Sequence, residues 1–186
     1  MIAGKYRGRK LQGPPTTQVR PTSDRLRETL FNVLAPRIAG TRFLDLCAGS
    51  GAVGIEALSR GANHVTFVDR SRKMCSLIEA NLNHCHIPAG ETEVRQSEAA
   101  EFLRRRSTQR IGSWDLVFFD PPYESNYLSI LRLVGSHSTD LLAEDALLIV
   151  EHHHKKLLEE KIGSIILGRT LKQGDSTLSF YQRANE

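Results

Sequence analysis

The fold is decided by the run Asp45-Leu46-Cys47-Ala48-Gly49-Ser50-Gly51-Ala52-Val53-Gly54. Its glycines form a G-x-G-x-x-G pattern, which allows a tight turn and a close approach of the backbone to a ligand. Segment 42–46 before the glycines predicts a strand, and segment 53–60 after them predicts a helix. The pattern is weak by itself, but its place between a strand and a helix predicts a ligand-binding turn of an α/β fold.

The rest of the chain repeats this alternation of strand and helix. Strands are predicted at 64–68, 92–95, 114–119 and 146–151, and helices at 72–83, at 98–106 and from a start within 21–24 to residue 34. Such alternation is typical of a parallel sheet covered by helices, and the strongly apolar run 114–119 predicts a central strand. Segments 164–168 and 177–181 flank a Gly-Asp turn, which predicts a hairpin that ends the sheet antiparallel.

Two acids around the glycine run indicate which ligand it holds. Asp69 ends the second predicted strand, about 20 residues after the loop, where a ribose diol is gripped in nucleotide-binding folds. Asp45 would repel the pyrophosphate of a dinucleotide, whereas the sulfonium of S-adenosylmethionine is cationic. Charge therefore favours S-adenosylmethionine as the cofactor.

The tetrapeptide Asp120-Pro121-Pro122-Tyr123 directly follows the fourth predicted strand. Two prolines fix the backbone at the carboxyl end of a strand, where α/β folds bind ligands. Asp120 and the Pro121 carbonyl can each accept an N–H bond of a nucleobase amine and aim its nitrogen at a methyl group. Tyr123 can stack on a base taken out of its helix. The tetrapeptide predicts the catalytic site of an amino-methyltransferase.

Charge is concentrated at the N-terminus. Residues 1–37 carry eight Lys/Arg and two acids, or +6, whereas the remainder is −2. We predict a basic arm and lid helix at 1–37 and a catalytic domain at 38–186, with Lys5, Arg7, Arg9 and Lys10 on a short β-like segment that contacts phosphates. The other candidate residues for nucleic-acid binding are Arg20, Arg25 and Arg27, of which the last two are expected to stay available for nucleic acid or for the cofactor carboxylate.

Both ends of the chain, together with these motifs, resemble one known family. The segments 2–11 and 20–32, the loop region 45–62, the tetrapeptide at 120–123 and the closing Tyr181-Gln182-Arg183 look like the RsmD family of bacterial methyltransferases. The resemblance implies a Rossmann-like class I methyltransferase fold with a mostly parallel seven-stranded sheet. It also implies methylation of the exocyclic N2 amine of one guanine in 16S ribosomal RNA, within an assembling small subunit.

The resemblance further implies a methyl-donor pocket at the loop and after the second and third strands. Its expected residues are Asp45, Cys47, Ala48, Gly49, Ser50, Gly51, Asp69, Arg70 and Glu98. Glu98 is assigned by position, because Gln96-Ser97-Glu98 matches the family pattern loosely.

Other functions and sites are weighed against this interpretation. A DNA adenine or cytosine amino-methyltransferase shares the tetrapeptide but normally needs a further recognition domain, and a nicotinamide-dependent oxidoreductase leaves Asp45 unexplained. The histidines of 84–86 and 152–154 lack the spacing of a metal site, so no metal is expected. Three cysteines and the lack of a secretion signal or membrane span predict a cytoplasmic protein, which we expect to be a monomer.

Overall fold

The computed structural model describes residues 1–13, 24–109, 113–122 and 126–184. In these residues one sheet contains eight strands: β1 (Arg42–Leu46), β2 (His64–Asp69), β3 (Thr92–Gln96), β4 (Trp114–Phe119), β5 (Leu142–His153), β6 (Lys161–Ile162), β7 (Ile165–Gln173) and β8 (Ser176–Arg183). The helices are α1 (Asp24–Leu34), α2 (Ala52–Ser59), α3 (Arg72–His84), α4 (Ala99–Gln109), α5 (Tyr127–Ser136) and α6 (Ser138–Leu141), with a 3₁₀ turn at Ala89–Glu91.

The strand order is β3-β2-β1-β4-β5-β8-β7-β6. Strands β1 to β5 pair in parallel, and β8, β7 and β6 complete the sheet with antiparallel pairs. The direction of the order reverses between β1 and β4, so their carboxyl ends border the crevice where open α/β sheets bind ligands. Both predicted site motifs follow these two strands.

Each face of the sheet is covered by helices that bury an apolar stripe. On one face, residues of α1, α2 and α3 pack with Phe43, Phe67 and Phe118. On the other face, residues of α4, α5 and α6 pack with Trp114 and Phe119. Strand side chains alternate between the two faces, which is why β4, apolar at every position except Asp115, supplies both cores.

The structure confirms the predicted α/β class, the central position of β4 and the antiparallel end. The sheet has one strand more than the seven expected, because the two residues of β6 pair with the start of β7. The prediction missed α5, although its buried Tyr127, Ile130, Leu131 and Val134 have helical spacing. In the described part of the chain, no helix is long and apolar enough to span a bilayer.

The N-terminal segment, residues 1–13, forms turns, so the β-like conformation expected for it is wrong. Gly4 and Gly8 adopt φ values of 78° and 81°, which reverse the chain direction within a few residues. The segment packs against the body, with the Tyr6 side chain buried in the same core as α1 and α2.

Candidate active site

The glycine loop is held in place by the buried carboxyl group of Asp45. The Asp45 side chain, on β1, is 2% exposed and accepts a 2.9 Å hydrogen bond from the Gly54 N–H in the first turn of α2. Burial raises the pKa of Asp45 to about 8, the bond from Gly54 opposes this rise and the charge of Asp69 adds to it. The loop is thus anchored to β1 by a buried acid whose pKa lies well above its usual range.

Two glycines of the turn between β1 and α2 have positive φ, and their surroundings differ. Gly51 has φ 76°, and a Cβ there would lie 3.2 Å from Ile78 Cγ1 on α3, so the loop packs closely on that helix. Gly49 has φ 54°, and a Cβ there would meet no atom within 4 Å. The loop therefore faces open space at Gly49, as a ligand cradle does.

Asp69 lies at the end of β2, where it connects two strand-to-helix turns. Its Oδ2 accepts from the Gly49 N–H at 3.0 Å, and its Oδ1 accepts from the Ser71 N–H at 2.8 Å. The Ala48 N–H also donates to the Val68 carbonyl at 3.0 Å. The structure thus brings the second predicted acid into direct contact with the glycine loop, and its role at a ribose diol stays a prediction.

The predicted acids surround the loop cysteine. Cys47 is half-buried with φ 63°, and burial raises the pKa of its thiol to about 12. The carboxyl groups of four acids contribute further to this rise: Asp69, Asp120, Asp45 and Glu98. These acids come from four different strand ends or turns, so the carboxyl edge of the sheet forms one acidic site.

Arg70 and Glu98 lie at the outer rim of this site. Their side chains are 69% and 64% exposed, and Arg70 Nη1 lies 3.8 Å from Glu98 Oε1. An exposed pair at this distance contributes little to stability. Both side chains can therefore turn toward a ligand at the carboxyl ends of β2 and β3.

The Asp-Pro-Pro segment continues from β4 beside β1. The Asp120 N–H donates to the Leu46 carbonyl at 3.3 Å, which places Asp120 next to the start of the glycine loop. Pro121 is buried and Pro122 is exposed. Tyr123 lies outside the described residues, so its predicted stacking role stays a prediction.

The sequence interpretation missed Tyr127, which contacts the predicted catalytic segment. Its ring is 1% exposed and packs edge-on against Phe119 at 5.9 Å, and its hydroxyl donates to the Pro121 carbonyl at 3.4 Å. The amine of Lys156 lies 3.6 Å from the centre of this ring. A carbonyl has two lone pairs, so Pro121 can accept a second donor.

The donor set of this site fits a cationic nucleoside. Carboxylates at Asp69 and Asp120 lie near a glycine loop that faces open space at Gly49. Arg70, at the end of β2, pairs with Glu98 after β3. This acidic surrounding suits a sulfonium and opposes a pyrophosphate.

The basic side chains of the N-terminal segment divide into two groups. Lys5, Arg7 and Lys10 are exposed. Arg9 is half-buried, its guanidinium donates to the Cys85 carbonyl, and it lies 5.3 Å from the centre of the Tyr6 ring. The Lys5 amine also lies 5.3 Å from the centre of the Tyr6 ring, so what distinguishes Arg9 from Lys5 is its burial and its bond to the Cys85 carbonyl.

The backbone of this segment is fixed by polar side chains of α2. Glu56 is 0% exposed and accepts from the N–H groups of Ile2 and Ala3 at 2.9 and 3.0 Å. Ser59 Oγ accepts from the Tyr6 N–H at 2.9 Å, and its carbonyl accepts from the Lys5 N–H at 2.7 Å. The exposed basic side chains thus extend from a docked backbone.

Of the other candidate RNA-binding residues, Arg25 is exposed on α1. The expectation that Arg27 stays available is wrong, because Arg27 is only 8% exposed and its Nη2 bonds Asp24 Oδ1 at 2.8 Å. Helical spacing explains this burial, since Arg27 lies one turn before the buried Leu30 and Phe31. Arg20 lies outside the described residues.

Two histidines at the end of β5 lie close to Asp175, in the turn between β7 and β8. His153, His154 and Asp175 place one possible ligand atom each within 4.8 Å of one another. The two imidazoles stack at 4.5 Å with an interplanar angle of 29°, and His154 Nδ1 lies 3.2 Å from the Asp175 carbonyl. Lone pairs in nearly parallel rings do not converge on one ion, so these contacts carry no metal assignment.

The sheet order, the glycine loop after β1 and the acid after β2 define the class I methyltransferase fold. Solved structures share it. The Escherichia coli protein yhhF is 35% identical, with a TM-score of 0.84, and the alignment covers 100% of this chain and 97% of that one. SMU.776, solved in complex with SAH, has a TM-score of 0.68 over 83% of this chain and 48% of its own; at 13% identity this shows the fold alone.

The family described as Conserved hypothetical protein 95 matches residues 1–182, and the chain belongs to this family, which is the RsmD family. Ribosomal RNA small subunit methyltransferase D of Escherichia coli K12 is 38% identical over 98% of this chain and 89% of its own length. The protein of the same name from Haemophilus influenzae is 36% identical over 89% of each chain. The resemblance found in the sequence is confirmed.

Proposed function

We propose that this protein is an S-adenosylmethionine-dependent methyltransferase that modifies the exocyclic N2 amine of one guanine in 16S ribosomal RNA. The observation that carries the proposal is the acidic carboxyl edge, where Asp45 and Asp69 hold the glycine loop and Asp120 stands beside it. Relatives named as small-subunit ribosomal RNA methyltransferases over nearly the whole chain support the choice of RNA.

The cofactor supplies an electrophilic methyl group on its sulfonium. Asp69 holds the loop through the Gly49 N–H and has an edge position suited to a ribose diol. The Asp120 carboxylate and the Pro121 carbonyl accept the two N–H groups of the guanine amine, which weakens the delocalisation of its lone pair into the ring. Catalysis rests on orientation and on acceptors fixed before the reaction.

The RNA is held outside this site by the exposed cations of the N-terminal segment. Lys5, Arg7 and Lys10 contact phosphates, which position the enzyme without reading the sequence. The target is the RNA of an assembling small subunit. The docked backbone of the segment gives these charges a fixed relation to the active site.

The proposal is tested by mapping methylated nucleotides in 16S RNA from cells with and without the protein. We expect one guanine to lose its N2 methyl group in the deficient cells. The purified protein with S-adenosylmethionine should restore it on small-subunit particles from those cells. Loss of an adenine or cytosine methyl group, or methylation of duplex DNA in place of RNA, would contradict the proposal.

A further inference from the structure

A fully buried amide on α3 joins the N-terminal segment to the glycine loop. Asn81 is 0% exposed. Its Nδ2 donates to the carbonyl oxygens of Gln12 at 3.1 Å and Ser50 at 3.0 Å, and its Oδ1 accepts from the Gln12 N–H at 2.8 Å. One side chain therefore satisfies the backbone N–H and the backbone carbonyl of Gln12, and it also bonds the Ser50 carbonyl of the loop.

The peptide that Asn81 holds lies at the centre of the glycine loop. Ser50 stands between Gly49, whose N–H donates to Asp69, and Gly51, which packs against Ile78 of α3. The orientation of the Ser50 carbonyl thus affects the N–H groups and the open space on which ligand binding depends. An amide in this place can transmit the state of the N-terminal segment to the loop.

We propose that Asn81 is a positioning residue that makes RNA binding at the N-terminal segment and cofactor binding at the glycine loop mutually favourable. The inference rests on the proposed function, because it takes the segment as the RNA contact. Phosphates on the exposed cations favour the docked segment, which supplies Gln12 to Asn81. The side-chain amide of Asn81 is then oriented to donate to the Ser50 carbonyl. Coupling of this kind is reciprocal, so bound cofactor also strengthens RNA binding.

The test measures the dissociation constant of S-adenosylhomocysteine for the full chain, with and without saturating small-subunit particles from cells that lack the protein. For the wild type we expect the particles to tighten binding by about fivefold or more. In Asn81→Asp, a carboxylate oxygen replaces the donor that faces the Ser50 carbonyl. The ratio of the two constants should then fall to about 1.

The matched control is Asn83→Asp, which makes the same chemical change at an exposed position of the same helix. It should keep the wild-type ratio. A second variant, Gln12→Pro, removes the N–H that donates to Asn81 Oδ1 and leaves Asn81 itself intact. It should also lower the ratio, and it decides the matter if Asn81→Asp does not fold.

Two results would overturn the inference alone. The first is a wild-type ratio of about 1 although the particles bind. The second is an unchanged ratio in Gln12→Pro and in any folded Asn81→Asp protein. Wild-type protein that binds S-adenosylhomocysteine but not the particles would instead refute the proposed RNA substrate, and the inference with it. A merely structural role of Asn81 changes thermal stability and leaves the ratio at its wild-type value.

Discussion

The carboxyl edge of the sheet and the N-terminal segment carry opposite charges and fix them in opposite ways. At the edge, the side chains of Asp45 and Asp69 are themselves held by backbone N–H groups. In the segment, Glu56 and Ser59 hold the backbone, and the basic side chains are exposed. Single substitutions should therefore have large effects at the edge, whereas the charges of the segment should act as a sum.

The largest effect is expected at Asp120. Its replacement in Asp120→Ala removes a fixed acceptor for the substrate amine, so the rate of methyl transfer should fall by about 100- to 1,000-fold. The dissociation constant of S-adenosylmethionine should stay within about threefold of the wild type, as checked by calorimetry. An equal loss of cofactor binding would place Asp120 in the fold of the loop instead of the substrate site.

The second-largest effect, on cofactor binding, is expected at Asp69. Comparing it with Glu98 tests the difference between a fixed and an exposed charge. Asp69→Ala removes two charge-assisted hydrogen bonds to the Gly49 and Ser71 N–H groups, so the cofactor should bind about 10- to 100-fold more weakly. Glu98→Gln is the comparison at the rim, since its side chain is 64% exposed. Its effect should be severalfold at most, and a larger effect than that of Asp69→Ala would contradict the assignment.

A third effect follows from burial of Asp45, whose pKa is raised to about 8. A cationic ligand favours the ionised carboxyl and releases its proton, so affinity should rise as the pH rises toward the pKa of the free protein. The affinity of S-adenosylmethionine relative to S-adenosylhomocysteine should increase up to about 10-fold per pH unit below pH 8 and then level off. The uncharged sulfur of the second ligand provides the reference.

Calorimetric titrations of both ligands from pH 6 to pH 8 measure this ratio. In Asp45→Asn the carboxyl is absent, and the ratio should become independent of pH. A wild-type ratio that stays constant over this range would show that Asp45 does not interact with the sulfonium.

The smallest effect per residue is expected in the N-terminal segment. Replacing Lys5, Arg7 and Lys10 together by alanine should lower the slope of log affinity for RNA against log salt concentration by about 2. Filter binding at several salt concentrations measures it. The rate at saturating RNA and saturating S-adenosylmethionine should be unchanged. Arg9→Ala serves as the contrast, because it loses the bond to the Cys85 carbonyl and should lower thermal stability as well.

The difference between the two regions also explains what the sequence could predict. The positions of Asp45, Asp69 and Asp120 follow from strand ends, and parallel strands bring their carboxyl ends to one edge. The limits of β4 agree with the prediction for the same reason, since its apolar run is bounded by polar residues. Local pattern and the rules of the parallel sheet are sufficient for this part of the site.

The rest depends on contacts that no local pattern encodes. The turns of residues 1–13 are held by Glu56 and Ser59 on α2, more than 50 positions away in the chain. In the sequence Asn81 is an ordinary polar residue of α3, because its partners Gln12 and Ser50 lie far from it along the chain. Arg27 is different, because its place within the apolar stripe of α1 was visible in the spacing and would have predicted its burial.

Cys47 adds a chemical consequence to the acidic surroundings of the loop. A methyl donor is an alkylating agent, and a thiolate beside a sulfonium is the side chain most prone to attack it. Burial raises the pKa of the Cys47 thiol to about 12, and the neighbouring carboxyl groups add to this rise. We expect the same carboxyl groups to disfavour methylation of Cys47 by a methyl donor bound in the proposed site.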